Sequence, residues 1–293
     1  MKSTHHSEYG QLKSIYIKPA TESFLSQGYV NEQWQELNYL GCPQYDEAVS
    51  EYEQFEKLIK ATGADVRNFT NDHTVKMDSI YCRDASIATD WGLIICNMGK
   101  AGRANEPFAA KKLYEANKES ILGVIEAPGT IEGGDVAWLD DNTLAIGRTY
   151  RTNDSGIVQM KALLEPKGVE IIVVELPHYK GSSDVFHLMS ILSPVDKDLA
   201  VVYSPLMPIK FRNELLQRGI QLIDVPDGEF ESMGCNVLAV APRDCLMVDG
   251  NPITKKLLEN AGCQVFSYKG HEISVKGGGG PTCLTRPMER IIL

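Results

Sequence analysis

The chain has 293 residues, of which 43% are hydrophobic and 23% are charged, and this composition is typical of a globular protein. The length fits one large domain or two average ones. The net charge of −10 at pH 7 argues against proteins that bind nucleic acid or anionic membranes by long-range attraction. The amino-terminal segment MKSTHHSEYG lacks the apolar region of a signal peptide, and apolar runs such as 171–174 are too short to span a bilayer.

The cysteine pattern bears on the compartment and on metal binding. Seven cysteines are present, an odd number, and none of their spacings is that of a CxxC metal motif. We therefore expect neither a disulfide framework nor a cysteine-based metal site, and we expect no cofactor. The chain is predicted to be a reduced, soluble, cytoplasmic protein.

Five segments of the chain share one order of features: an amphipathic helix, a glycine and a β-rich run. They are 48–69, 109–127, 158–176, 209–225 and 253–268. The glycine is expected just beyond the helix, where its freedom to adopt a positive φ ends the helical turn. The second segment is the least regular, because Gly123 falls inside its apolar run.

Predicted β-hairpins lie between these segments. Polar turn residues are found within 84–98, 135–149, 187–204 and 236–248. A fifth hairpin has no continuous stretch of sequence, but 283–293 and 14–18 could each supply one strand of it. The sequence thus predicts an α/β domain covering 1–293, with five ββαβ-like units as a pseudo-fivefold, five-bladed α/β-propeller. An irregular α/β sandwich is the alternative.

One residue at the head of each hairpin is singled out by the repeat. These residues are Asp84, Glu132, His187, Cys235 and Cys283, with separations of 48, 55, 48 and 48 residues. Equivalent positions in radially arranged units converge on the axis, so a carboxylate, an imidazole and a thiol would meet there. Cys235 is expected to be a small buried core residue.

The local sequence around two of these residues permits close approach of backbone or ligand. Glu132 stands before two glycines in the stretch IEGGDV, and Cys283 follows Gly277–Gly280 and a proline. The alternatives are a flexible glycine turn and an inert buried cysteine. A phosphate loop is not indicated, because no Gly-Lys-Ser or Gly-Lys-Thr follows the glycines.

An ordered set of motifs resembles the guanidino-modifying superfamily. The motifs are EGGDV at 132–136, RTN at 151–153, His187 leading to SP at 193–194, and the glycine-rich loop before Cys283. This superfamily includes dimethylarginine dimethylaminohydrolase, arginine deiminase and the amidinotransferases. The resemblance runs from residues 8–13 to Cys283 and implies the five-bladed α/β-propeller.

The resemblance implies a role for each matching residue. Cys283 would be the nucleophile, His187 would protonate the leaving amine and then activate water, and Glu132 would lie beside His187. Asp84 would bind the guanidinium, and Asp78 matches the substrate-binding aspartate in the Pro-Asp-Ser motif of the dimethylarginine enzymes. The remaining matches are arginines that hold the substrate's α-carboxylate in those enzymes: Arg103 and Arg151.

The implied activity is that of a cysteine hydrolase that acts on arginine or a methylated arginine and gives citrulline through a covalent S-amidino intermediate. An amidinotransferase or an arginine dihydrolase would use the same nucleophile, and a non-catalytic binding protein could share the propeller. Arg83 matches arginine deiminases and amidinotransferases at a position where dimethylarginine enzymes carry glutamate. We expect a small guanidino substrate, no nucleic-acid or membrane partner, and a homodimer as one candidate assembly. The aromatic-rich segment 21–41 is predicted to be either a lid or an ordinary connection.

Overall fold

The computed structural model describes residues 2–183 and 185–292. The helices are α1 (Ala20–Ser23), α2 (Gln27–Gln33), α3 (Tyr45–Ala61), α4 (Glu106–Ala116), α5 (Asp154–Leu164), α6 (Ile209–Gln217), α7 (Asp227–Phe230) and α8 (Pro252–Asn260). The strands are β1 (Lys2–Thr4), β2 (Gln11–Leu12), β3 (Ser14–Ile17), β4 (Asp65–Asn68), β5 (Ser86–Ile87), β6 (Leu93–Ile95), β7 (Ile121–Val124), β8 (Val136–Asp140), β9 (Thr143–Arg148), β10 (Glu170–Glu175), β11 (Leu192–Asp196), β12 (Leu199–Val202), β13 (Gln221–Asp224), β14 (Leu238–Ala241), β15 (Asp244–Val248), β16 (Gln264–Tyr268), β17 (Thr285–Pro287) and β18 (Arg290–Ile292).

Within the described ranges, five three-stranded sheets share one pairing pattern. In each, two antiparallel strands form a hairpin, and a third strand that arrives after a helix runs parallel to the second, as β8, β9 and β10 do. The other sheets of this kind are β5–β6–β7, β11–β12–β13, β14–β15–β16 and β17–β3–β4. The structure is therefore α/β and built from the ββαβ units that the sequence predicts.

One of the five units is assembled from both ends of the chain. Strand β17 pairs antiparallel with β3, with Thr285 opposite Ile17, and β4 lies parallel to β3. A further antiparallel sheet, β1–β18–β2, joins the two ends again, with Lys2 opposite Ile292. The predicted split hairpin is confirmed, and it ties the segment after Cys283 to the first strands of the chain.

The helix ends follow the glycine pattern with one exception. After α3, α5, α6 and α8 the residues with positive φ are glycines: Gly63, Gly168, Gly219 and Gly262. After α4 this position is taken by Lys118, with a φ of 60°. Gly123 instead lies within β7, where an added Cβ would come within 2.8 Å of the Leu163 side chain, so close packing against α5 explains that glycine.

Buried strands and reduced cysteines form the interior. Strand β12 is buried at all four residues, and Cys235 lies in the same core cluster as Val201 at 2% exposure. Burial raises the pKa of the Cys235 thiol well above its ordinary value, which fits the small core residue that the sequence predicts. Within the residues that the structure describes, no helix combines the length and the apolar character needed to cross a membrane.

The split hairpin can be tested by its contribution to stability. Ile17 in β3 is fully buried between β17 and β4, so Ile17→Ala should lower the free energy of unfolding by about 2–5 kcal/mol. Urea unfolding measures this value, with Val66→Ala on the half-buried β4 as the milder control. If Ile17→Ala lowers the free energy of unfolding no more than Val66→Ala does, the hairpin formed by the two chain ends does not make the large contribution to stability that we expect.

Candidate active site

One cavity of about 110 Å³ gathers most of the predicted site residues. Its lining includes Cys283, His187, Asp84, Asp78, Arg103 and Arg151. The seventh predicted residue, Glu132, is fully buried behind this wall and contacts His187. The structure therefore brings together residues that the sequence separates by up to 205 positions, from Asp78 to Cys283.

The glycine run before Cys283 is a tightly packed turn. An added Cβ at Gly279 would lie 2.5 Å from the Tyr81 ring, and one at Gly280 would lie 2.5 Å from Asn236 Oδ1. Tyr81 is itself held by a 3.0 Å hydrogen bond from its hydroxyl to Ile273 O. Glycines are required here because neighbouring side chains occupy the space of a Cβ, and this packing fixes the position of Cys283.

The Cys283 sulfur lies beside an oriented amide. Asn236 Oδ1 accepts hydrogen bonds from Thr282 N at 3.0 Å and from Thr282 Oγ1 at 2.9 Å. Asn236 Nδ2 therefore faces Cys283 Sγ, at 3.5 Å. Burial and the charge of Asp84 raise the pKa of the Cys283 thiol, whereas contacts with Thr282 and Asn236 act in the opposite direction.

A buried ion pair joins His187 and Glu132. His187 Nε2 lies 2.8 Å from Glu132 Oε2, and Glu132 Oε1 accepts bonds from the backbone N–H groups of Gly99 and Lys100, each at 3.0 Å. Arg151 Nη1 lies 3.6 Å from the same oxygen. Burial alone would raise the pKa of Glu132, but the bond from His187 and the charges of His187 and Arg151 lower it to about 2.

His187 is held as an imidazolium ion at neutral pH. Burial would lower its pKa, but the carboxylates of Asp135, Asp84 and Glu132 raise it to about 9. The ring is set by the short 3₁₀ turn that follows it, in which Leu188 N donates to Asp135 Oδ1 at 3.1 Å. A protonated imidazole that lines the same cavity as a thiol can donate a proton to a leaving group.

Asp84 and Arg103 form a second buried ion pair. Asp84 Oδ2 accepts from Arg103 Nη1 at 2.6 Å, and Asp84 Oδ1 accepts from Gly134 N at 2.9 Å. The other donors of Arg103 bind both oxygens of Glu106, at 2.9 and 2.7 Å, and Tyr81 O at 2.8 Å. These contacts hold Asp84 in place, and the carboxylate-binding role of Arg103 stays a prediction.

Asp78 is paired with a lysine that the sequence analysis did not select. Lys100 Nζ lies 2.5 Å from Asp78 Oδ2 and also donates to Leu37 O at 2.7 Å. Leu37, Asn38 and Leu40 line the cavity, so the segment 21–41 supplies part of its wall. Movement of the segment 21–41 as a lid stays a prediction.

A metal could be considered at the junction of the two ion pairs. Asp84, Glu132 and His187 each bring one ligand atom within 4.8 Å of the others. His187 Nε2 and Glu132 Oε2 are bonded to each other, and Asp84 Oδ2 is bonded to Arg103. A metal held by His187 Nε2 and Glu132 Oε2 would have to replace the bond between them, so the donor set fits proton transfer better than metal binding.

Three contributors were missed by sequence reasoning: Lys100, Asp135 and Asn236. Asp135 belongs to the EGGDV motif, and Asn236 follows the repeat-head residue Cys235, so both stood next to selected positions. Lys100 lies between β6 and α4 with no motif around it. Its pairing with Asp78 depends on the folded chain, and no sequence signal was available for it.

Comparison with known proteins places the chain in a family. The family model described as "N,N dimethylarginine dimethylhydrolase, eukaryotic" matches residues 30–290. The N(G),N(G)-dimethylarginine dimethylaminohydrolase of Pseudomonas aeruginosa is 27% identical over 248 residues, covering 85% of this chain and 91% of the relative. The arginine deiminase of Streptococcus gordonii is also 27% identical, over 62% of this chain and 52% of its own length.

Solved structures show the same fold. The Pseudomonas aeruginosa dimethylarginine dimethylaminohydrolase in complex with citrulline has a TM-score of 0.76 at 22% identity, covering 94% of this chain and 98% of its own. The N-terminal domain of an arginine dihydrolase from cyanobacteria has a TM-score of 0.77 at 19% identity, covering 94% and 96%.

The fold and the matching proteins define a class, the guanidino-modifying enzymes, and within it a hydrolase that acts on amidine C–N bonds. The suspected superfamily is thereby confirmed. More narrowly, the chain belongs to the N,N-dimethylarginine dimethylhydrolase family.

The raised pKa values of Cys283 and His187 predict an unusual pH dependence of kcat/KM. The Cys283 thiol has a raised pKa, so the thiolate fraction should grow by about tenfold per pH unit near neutrality, while His187 loses its proton only near pH 9. We expect kcat/KM to rise from pH 7, to level off near pH 9 where His187 loses its proton, and to fall only above the raised pKa of the Cys283 thiol. A profile that is flat between pH 6 and 8 would contradict this assignment.

The Asn236 contact predicts a measurable change in thiol reactivity. Asn236→Ala removes the N–H that faces Cys283 Sγ, and Asn236→Asp replaces it with an oxygen. Loss of a hydrogen bond to a charged group, worth about 1.5 kcal/mol, should slow alkylation of Cys283 by iodoacetamide at pH 8 by roughly tenfold. Peptide mass mapping measures it, and Cys42 in the same protein is the internal control. If Cys283 is alkylated at the same rate in the wild type, Asn236→Ala and Asn236→Asp, then Asn236 does not stabilise the thiolate.

Proposed function

We propose that this chain is a cysteine-dependent hydrolase that attacks the guanidinium carbon of arginine or a methylated arginine and releases citrulline. The observation that carries the proposal is one cavity lined by the Cys283 thiol, the imidazolium of His187 and two carboxylates. Membership of the dimethylarginine dimethylhydrolase family supports the same chemistry.

Binding of a guanidinium would use the carboxylates of Asp84 and Asp78. Each already contacts one cation, at 2.6 Å from Arg103 and 2.5 Å from Lys100, and each keeps lone pairs for further donors. Fixed carboxylates can align a planar guanidinium and favour the loss of its delocalisation as the carbon becomes tetrahedral. The bound cation would also favour the Cys283 thiolate, countering the effect of burial.

The reaction would proceed in two halves. The thiolate of Cys283 bonds to the guanidinium carbon, and His187 gives its proton to the departing ammonia, methylamine or dimethylamine, leaving an S-amidino adduct. Neutral His187 then takes a proton from water as the water oxygen bonds to the same carbon. The carbon–sulfur bond breaks and releases the Cys283 thiolate, and the remaining hydroxyl proton passes to solvent as citrulline is released. Glu132 keeps the His187 ring aligned through both proton transfers.

Substrate register would come from cations at the cavity wall. Arg151 and Arg103 are the proposed partners of the α-carboxylate, and Lys100 is a third cation within reach of the same space. Each of these cations already has a carboxylate partner: Arg103 is paired with Asp84 and Glu106, and Lys100 with Asp78. Arg151 Nη1 lies 3.6 Å from Glu132 Oε1, so the α-carboxylate would be bound in addition to these contacts. Arginine side chains bind carboxylates in a bidentate geometry that fixes orientation.

The proposal also covers the architecture, the compartment and the assembly of the protein. Five units with one pairing pattern support a five-bladed propeller with a pseudo-fivefold axis, formed by a single domain over residues 1–293. We propose a cytoplasmic enzyme whose partner is a small guanidino substrate, with a homodimer as the assembly to examine. Arg83 matches arginine deiminases and amidinotransferases where dimethylarginine enzymes carry glutamate, so arginine and methylated arginine are both candidate substrates.

Product analysis distinguishes the candidate reactions. Purified protein is incubated with arginine, monomethylarginine and asymmetric dimethylarginine, with and without glycine, and the products are identified by mass spectrometry. Citrulline without an acceptor is expected. Ornithine without an acceptor would indicate an arginine dihydrolase instead, and product that forms only with glycine would indicate an amidinotransferase. No turnover of any substrate would overturn the proposal.

Replacement of Cys283, the proposed nucleophile, tests the covalent mechanism. Cys283→Ser should reduce turnover by more than about a thousandfold, because an alcohol is far less ionised than a thiol at the same pH. Cys42→Ser, at a half-buried cysteine that does not line the cavity, should keep full activity. Substantial turnover by Cys283→Ser would exclude the covalent mechanism.

A further inference from the structure

Three arginine side chains share the protein interior with a single glutamate. Arg83, Arg286 and Arg290 are 2%, 5% and 1% exposed, and Glu8 is 7% exposed. Arg83 Nη2 lies 2.6 Å from Glu8 Oε2. Three guanidinium groups and one carboxylate leave a formal charge of +2 in a region without bulk water, where an uncompensated charge is costly.

Many nitrogens of this cluster have no acceptor. The buried side-chain nitrogens without a hydrogen-bond partner are Arg83 Nε and Nη1, Arg286 Nε, and Arg290 Nε and Nη2. Within residues 2–183 and 185–292, Arg286 makes no side-chain hydrogen bond or ion pair at all. Unpaired buried donors are rare in folded proteins, so this concentration calls for a ligand that accepts.

The protein's own acceptors nearby are already engaged. Glu8 Oε1 accepts from Trp138 N at 3.4 Å, and Oε2 accepts from Arg83. Arg290 Nη1 donates to Gly10 O at 2.5 Å and Ala239 O at 2.9 Å. Burial lowers the pKa of Arg286 to about 10, and the charge of Arg83 adds to this effect, so the guanidinium groups destabilise one another.

We propose that Arg83, Arg286 and Arg290, together with Glu8, form a buried binding site for a small monovalent inorganic anion of halide size. Every unpaired group in the cluster is a donor, and a halide only accepts. A water molecule would accept from at most two of these donors, and it would leave the positive charge of the cluster uncompensated. A spherical anion can accept from several guanidinium groups at once.

The site adjoins the catalytic segments. Arg83 N donates to Cys283 O at 3.2 Å, Arg83 precedes Asp84, and Arg286 lies three residues after Cys283. A bound anion would hold together the two segments that carry the nucleophile and a substrate carboxylate. The inference does not depend on which reaction the enzyme performs.

Anion-dependent stability tests the site on the intact chain. Thermal unfolding is followed at constant ionic strength while sodium gluconate, whose anion is too large for the site, is replaced by sodium chloride. We expect a saturable rise in Tm of several degrees, as mass action requires for a ligand bound only by the folded state. Arg286→Met should lose this rise and should have a higher Tm than the wild type in gluconate, because it removes a repelled charge.

A matched control separates the site from general salt effects. Arg67→Met removes an arginine that is 40% exposed and paired with Asp65 and Glu119, and it should keep the chloride response. Crystals grown in sodium bromide should show an anomalous peak between the three guanidinium groups. Water at that position, with no chloride-dependent Tm in the wild type, would overturn the proposal even if Arg286→Met fails to fold.

Discussion

The hydrogen bond between His187 and Glu132 is the interaction on which the arrangement of the site depends. Glu132 is fully buried, and its charge is tolerated because Oε2 faces His187 at 2.8 Å while Oε1 accepts two backbone N–H groups. The charges of Asp135, Asp84 and Glu132 together raise the pKa of His187 to about 9, against the effect of burial. Glu132 and His187 come from different ββαβ units, so they meet only in the folded protein. Their contact helps to make His187 a proton donor at neutral pH.

The same balance of charge extends across the cavity. Asp84 is paired with Arg103, and Asp78 is paired with Lys100, so each carboxylate that would receive a guanidinium is held in place before substrate arrives. Such preorganisation lowers the reorganisation needed as charge moves during the reaction. Burial and the charge of Asp84 raise the pKa of the Cys283 thiol, whereas the Asn236 amide that faces its sulfur, and an entering cation, would favour the thiolate.

Sequence alone predicted the repeat and the residues at the head of each unit. The prediction of the repeat depended on helix-ending glycines such as Gly63 and Gly168. A positive φ is a local requirement that favours glycine, so it can be recognised from the sequence. The pairing of Arg103 with Asp84 and Glu106 was not foreseen, and neither was the Asp78–Lys100 pair. Such contacts depend on which unit lies beside which, and a motif match transfers a residue without its folded neighbours.

The central claim is that Cys283 becomes covalently bonded to the guanidinium carbon during turnover, and rapid acid quenching with peptide mass mapping tests it most directly. The wild-type protein is mixed with arginine or a methylated arginine, quenched within the first turnovers and digested. The account predicts an S-amidino mass increase on the peptide that contains Cys283 and on no other cysteine peptide. Citrulline formation in the same samples with Cys283 unmodified at every time point would contradict it.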